Sequence, residues 1–174
     1  MMNFIPQKNA KGKITAAAVF ASSFVVSSVG GVFPAYGGII NVAAALVMSF
    51  ALWITVRFAL SSYVYEIKDG SLNVGKIVGS KRSEAASLNL TTCVGIYKKP
   101  KNAEDSRELL KKIGKTDRRM NFCTNLFADA YVYVTEFNGK IYEIYLEIDG
   151  AFAAEIERNA AIAKECAKSG EYGE

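Results

Sequence analysis

From residue 14 to residue 56 the chain runs for 43 residues without one Asp, Glu, Lys or Arg. A soluble domain of ordinary charge content almost never leaves such a gap. The run divides into two apolar segments, about 14–33 and about 39–60. At about 1.5 Å per residue each spans roughly 30 Å, the thickness of a bilayer's hydrocarbon core. Between them Pro34, Ala35, Tyr36, Gly37 and Gly38 stop one helix and permit a tight reversal. The pattern predicts a transmembrane helical hairpin over residues 1–61.

Past Leu60 the period changes. Residues 62–68 and Ser71–Val78 alternate and flank Asp69-Gly70, and Tyr131–Phe137 and 140–148 flank Asn138-Gly139. These dipeptides are strong hairpin signals because a type I′ turn needs positive φ at both central residues. The turns set the registers. Tyr63, Tyr65 and Ile67 then share a face with Leu72 and Val74, while Glu66, Lys68, Ser71 and Asn73 share the other. In the second hairpin Tyr131, Tyr133 and Thr135 oppose Leu146, Ile144 and Tyr142. Each hairpin therefore has one face suited to burial.

Between the hairpins, residues 85–97 with Leu88, Leu90, Val94 and Ile96 predict one or two more strands, and 121–127 a further short one. Residues 102–113 read as a helix. Asn102 is its N-cap with Asp105 three residues on, Leu109, Leu110 and Ile113 form its apolar stripe, and Gly114 ends it. A better helix closes the chain over 151–168, with Asp149 ahead of it and Gly170 behind. Its apolar face is Phe152, Ile156, Ala160, Ala163 and Ala167. This order predicts an α+β soluble domain over 62–168, antiparallel strands closed by a final helix, and a short tail at 169–174.

Charge sharpens the division. Residues 1–61 hold Lys8, Lys11, Lys13 and Arg57 and no acid, which leaves 17 bases against 17 acids beyond them. The net +4 thus belongs to the hairpin. Bases before the first span and at the end of the second, with Lys68 soon after, put both termini in the cytoplasm of a two-span cell-membrane protein. Lys11, Lys13, Tyr36 and Arg57 are the expected membrane-interface anchors, Arg57 snorkelling to inner headgroups from the last turn. A rival reading makes residues 8–29 a signal peptide, although no clear A-x-A site follows. Small residues recur at Ala17 and Ala21, Ser23 and Ser27, Ala45 and Ser49. That spacing lets two helices pack closely, either on each other or on another membrane protein.

Chemistry is sparse. The chain has no histidine, and Cys93, Cys123 and Cys166 show no CxxC spacing. Imidazole bases, His-based zinc sites and Ser–His or Cys–His nucleophiles are thereby excluded. Three scattered cysteines suit a reducing compartment, and Cys93 and Cys123 read as small core residues. Glu143 and Glu147 fall on the polar face of one strand, where a solvated sheet explains them without acid–base chemistry. No GxxxxGK phosphate loop occurs. The remaining feature is a polarity of charge. Residues 98–119 carry nine bases against four acids, and 129–174 ten acids against four bases. Lys98, Lys99, Lys101, Lys111, Lys112, Lys115, Arg118 and Arg119 are the candidate contact to a membrane surface or partner. The bland alternative is a solvated helix and loop paired with the acidic C-terminal part. A neutral domain without interleaved aromatics argues against nucleic acid.

The stretch from Tyr65 to Leu72, the segment Asn121-Phe122-Cys123-Thr124-Asn125-Leu126-Phe127, and Tyr131 to Asp149 followed by a helix resemble the bacterial pleckstrin-homology-like (PH-like) domain. The resemblance covers about 62–168, and small two-span membrane proteins carry such domains. It implies a seven-stranded bent antiparallel barrel capped by a C-terminal helix, with no catalytic residue and no cofactor. The helical insert near 102–118 interrupts the family's compact pattern. Together these readings lead us to expect a non-enzymatic, membrane-anchored interaction domain that binds a protein partner or lipid headgroups. The alternative is a structural accessory subunit docked through its transmembrane helices on a transporter or other membrane complex.

Overall fold

The computed structural model describes residues 2–32 and 37–169. The reversal residues Pro34, Ala35 and Tyr36, the end of the first apolar segment at Phe33, and the helix stop at Gly170 lie outside them. The chain opens with a short strand β1 (Met2–Phe4), then helix α1 (Lys11–Val32) and helix α2 (Gly37–Ile54), which continues as a π-helical turn, Thr55–Leu60. Both helices are long and apolar enough to cross a membrane. They pack on each other through Ala16 and Ser23 of α1 and Ala44, Ala51 and Ile54 of α2, all buried. The contact stripe therefore differs from the expected one. Ser23 belongs to it, but Ala17, Ala21, Ser27, Ala45 and Ser49 face outward. Seven-residue spacing, not four, keeps Ala16 with Ser23 and Ala44 with Ala51 on one seam of two helices wound about each other.

After the helices come strands β2 (Ser61–Lys68), β3 (Ser71–Val78) and β4 (Lys81–Asn89), a 3₁₀ turn (Leu90–Thr92), and strand β5 (Cys93–Lys98). Helix α3 (Ala103–Ile113), strands β6 (Arg118–Asn121), β7 (Tyr131–Phe137) and β8 (Lys140–Leu146), and helix α4 (Gly150–Ser169) complete the order. Two four-stranded sheets result, β1-β2-β3-β4 and β5-β7-β8-β6. Among the described residues all pairings are antiparallel except that of β6 with β8.

Both hairpins have the predicted registers: Tyr65 opposes Val74 and Ile67 opposes Leu72, while Tyr133 opposes Ile144 and Thr135 opposes Tyr142. Asp69 and Asn138 sit at φ 51° and 52°, followed by Gly70 at 69° and Gly139 at 71°, as a type I′ turn requires. The tyrosines 63 and 65 begin the core, as the register implied. That core joins Tyr63, Tyr65, Ile67, Leu72 and Val74 of the first sheet to Tyr133, Ile144 and Leu146 of the second. Phe152, Ala153, Ile156, Ala160 and Ala163 of α4 close it, and Phe4 of β1 packs against its edge. Ala167 lies beyond the core and is exposed, a turn further along α4 than the sheets reach. Asp149 caps α4, its carboxylate accepting from the Phe152 amide at 2.7 Å.

Helix α3 forms where predicted, with the Asn102 side chain accepting from the Asp105 amide at 2.8 Å and Gly114 at φ 79°. Its apolar stripe is narrower than expected: Leu109 and Ile113 are buried and Leu110 is exposed. They cover Val132 and Val134, the outward side chains of β7. The second sheet is thus buried on both faces, which explains why β7 is apolar at nearly every position. The strand expected over 121–127 is displaced. Pairing with β8 covers Arg118–Asn121 and reaches the Phe122 amide, which donates to the Tyr145 carbonyl; the chain then leaves the sheet, and side chains take up the carbonyls of Phe122 and Cys123 and the amides of Cys123 and Asn125.

Burial raises the pKa of several core groups, Cys93 among them. It pushes the Cys123 thiol from 9.0 to about 11, with the Glu147 carboxylate adding to the effect, and it raises the Tyr65 and Tyr133 phenols further still. In the unfolded chain each ionises at its ordinary value. Above that value the native state holds the proton longer, so stability falls as pH rises. For Cys123 the contribution is complete below about pH 8.5 and fades towards pH 11, at about 1.4 kcal/mol per pH unit. The thermal midpoint in mild detergent should therefore drop steadily above pH 9, and the drop should be shallower in Cys123→Ser. A flat profile to pH 10.5 would contradict the burial of these groups.

Candidate functional site

β5, β8 and β6 end, and β7 begins, at one end of the second sheet, where Lys98 aligns with Tyr131, Tyr131 with Leu146, and Asn121 with Tyr145. This end meets the helical hairpin. Arg57, in the π-helical turn, donates to the carbonyls of Asn121 at 2.8 Å and Cys123 at 3.1 Å. Its guanidinium lies 4.9 Å from the ring centres of both Phe58 and Tyr63. Instead of snorkelling outward, Arg57 is occupied by the domain. The wider π turn matters here because it changes the angular placement of side chains relative to α2. Gly12 lets α1 approach that turn: a Cβ there would stand 3.1 Å from the Phe58 Cβ and 3.3 Å from its carbonyl oxygen.

A second junction centres on Asn125. Its Oδ1 accepts from the Asn9 amide at 2.8 Å and its Nδ2 donates to the Gln7 carbonyl at 2.7 Å. The Asn125 amide and Nδ2 both donate to the Glu147 carboxylate. Lys8 donates to the Ala59 carbonyl at 2.8 Å, satisfying an end group of the second helix. Burial and the neighbouring Lys13 lower the Lys8 pKa. Tyr65 ties the first sheet to the same place, its hydroxyl donating to the Phe122 carbonyl and accepting from the Glu147 amide. Glu147 is accordingly a structural acceptor, not a solvated strand residue.

Glu143 differs even more from expectation. It is 1% exposed. Arg119 pairs with it at 2.9 Å, Tyr145 donates to it at 3.0 Å, and Thr116 donates to its other oxygen. Burial and this carboxylate raise the Tyr145 pKa. Every oxygen of Glu143 is matched, so the cluster fastens the edge strand β6 beneath α3 and has no free base to offer. Among the described residues no group of three or more Cys, Asp or Glu gathers closely enough to hold a metal ion.

The basic stretch is divided by the fold. Lys98, Lys99 and Lys101, all exposed, lie at the hairpin end. With Pro100, Phe127, Ala128, Asp129 and Ala130 they line an open cavity of about 320 Å³. Lys111 and Lys112 occupy the last turn of α3, which runs towards the opposite end, where Gly114 lies against Ile141, although Lys112 still borders a cavity of about 480 Å³ that Lys98, Lys99 and Lys101 share with Asp105 and Glu108. Lys112 pairs there with Glu108 at 2.8 Å. Lys115 and Arg118 are at that far end too, since the Asp117 amide donates to the Ile141 carbonyl and Arg118 aligns with Tyr142. Arg119 is committed to Glu143. Of the eight candidates, three therefore stand beside the helices. Sequence reasoning missed the residue they surround, Phe127, which is 77% exposed and adopts φ 60°. Its neighbours suggested a strand, and only the loop geometry turns it outward. No family model, curated protein or solved structure matches this chain.

Proposed function

We propose that the chain is a membrane-anchored, non-enzymatic interaction module of PH-like build. Its helices cross the cell membrane, both chain ends lie on the cytoplasmic side, and the domain engages a protein partner or lipid headgroups there. The observation that carries this reading is the pairing of β1 with β2, Met2 opposite Ile67 and Phe4 opposite Tyr65. The strand before the first helix and the strand after the second share a sheet, so the helices leave from and return to one side. Lys8, Lys11, Lys13 and Arg57 gather at that side, and the preference of bases for the cytoplasm orients it. Seven strands following the hairpin, two packed sheets and the closing helix α4 support the PH-like build. The α3 insert and the parallel edge strand β6 are departures from it.

Alkaline carbonate extraction of membranes, followed by protease treatment of right-side-out and inverted vesicles, tests the proposal. The chain should stay in the pellet, with the domain cut only in inverted vesicles. Release into the supernatant would refute the anchor, and cleavage from outside would refute the orientation. A second reading, an accessory subunit docked through its helices, is favoured by one feature. An outward groove of about 800 Å³ runs between α1 and α2, lined by Ala17, Phe20, Ala21, Phe24, Leu52 and Leu60 among others. Exchanging residues 14–30 and 39–52 for unrelated apolar helices would abolish partner capture on this second reading and preserve it on the first.

A further inference from the structure

We infer that Phe127 and the lysines 98, 99 and 101 form a second foothold on the bilayer, the ring entering the interfacial layer and the lysines holding anionic headgroups. The inference rests on the membrane anchoring proposed above. Three observations carry it. First, Asn125 is bonded to Gln7 and Asn9, directly ahead of Lys11 where α1 begins. Two residues extend about 7 Å at most, so Phe127 lies at the level where the helices meet the domain. Second, Phe127 is a large apolar side chain left 77% exposed at φ 60°, a backbone conformation bulky residues avoid. Residues held in such conformations cluster at binding sites, where the surrounding structure enforces them. Here the Asn125 junction on one side and the Lys99 amide bonded to Ala130 on the other hold the loop. Third, the cavity beside the ring is lined by three exposed lysines against one carboxylate, Asp129. An aromatic ring fits the interfacial layer, and anionic leaflets attract bases near their surface.

The hairpin holds the domain from within the protein, through Arg57, Asn125 and the pairing of β1 with β2. A second contact removes the remaining freedom to tilt.

The chain has one tryptophan, Trp53. The test uses full-length Trp53→Phe/Phe127→Trp reconstituted into vesicles of phosphatidylcholine alone or with phosphatidylglycerol. With phosphatidylglycerol, the emission of the new tryptophan should shift to shorter wavelength and be quenched by lipids spin-labelled near the headgroup. Removing Lys98, Lys99 and Lys101 together (each to Gln) should lower the docked-to-undocked ratio about fivefold per lysine at low salt, with Cys123 still protected from thiol reagents as a control for folding. Soluble glycerol phosphate should leave the emission unchanged. A tryptophan quenched by acrylamide but not by labelled lipid, in chains that resist carbonate extraction, overturns the inference alone. Chains that carbonate extracts overturn the anchor on which it rests. A response to glycerol phosphate without phosphatidylglycerol overturns the bilayer as the ligand.

Discussion

Phe152→Ala should destabilise the domain by about 3–5 kcal/mol, the usual cost of emptying an aromatic site in a packed core. The ring is fully buried and stands at the first turn of α4, between both sheets. It also stacks obliquely on Phe4, ring centres 5.5 Å apart. Alanine would open a cavity where the closing helix, the main core and the N-terminal strand converge. Phe152→Leu keeps most of the volume and should cost about 1.5 kcal/mol or less. Denaturant unfolding in mild detergent, followed by near-ultraviolet circular dichroism, measures both. An alanine variant within 1 kcal/mol of the parent would show that α4 does not seal the core.

Asn125→Ala should act differently, loosening the junction while the domain stays folded. The substitution removes the acceptor of the Asn9 amide and the donors to Gln7 and Glu147. A neutral hydrogen bond contributes about 1 kcal/mol and one to a charged group about 1.5–3. Because the pieces are tethered anyway, the expected result is local: amide exchange in residues 2–9 rises by about 10- to 100-fold, a change of about 1.4–2.8 kcal/mol in opening free energy. Exchange in β7 and β8 should be nearly unchanged. Equal acceleration across the second sheet would mean that Asn125 supports the domain itself. No change at residues 2–9 would mean that β1 is held by its sheet pairing alone.

The contrast between these residues explains what could be read from the amino-acid sequence. Phe152 was legible because helical periodicity and the Asp149 cap are local signals. The two hairpins were legible because Asp69-Gly70 and Asn138-Gly139 dictate register without reference to the rest of the chain. The Asn125 junction was not legible: its partners at Gln7 and Asn9 lie more than a hundred residues away, and nothing in an asparagine indicates which distant backbone it will serve. Glu143 misled because alternation in β8 alone describes a wet face. The counter-signal was Val132 and Val134, which share that face from the neighbouring strand and needed the cover that α3 supplies. Of the small-residue stripes only Ser23 lies in the seam between the two helices, since spacing of four and spacing of seven coexist in so alanine-rich a stretch; the others face outward. The basic run was visible as composition. Its division between two ends of the domain depends on α3 carrying the chain from one end to the other.

The pairing of β1 with β2 also has a bearing on how the molecule is made. In chain order the whole helical hairpin, residues 5–60, is a loop inserted between two adjacent strands of one sheet. The first three-residue strand has no partner until β2 has been synthesised, so the N-terminus must wait while both helices emerge. Loop closure of that length would ordinarily be slow and entropically unfavourable. Two rigid helices folded back on each other carry the loop's ends to the same place, as Gly12 against Phe58 attests. The hairpin thus serves as an assembly jig for the sheet, and its completion sets the moment at which the domain can close.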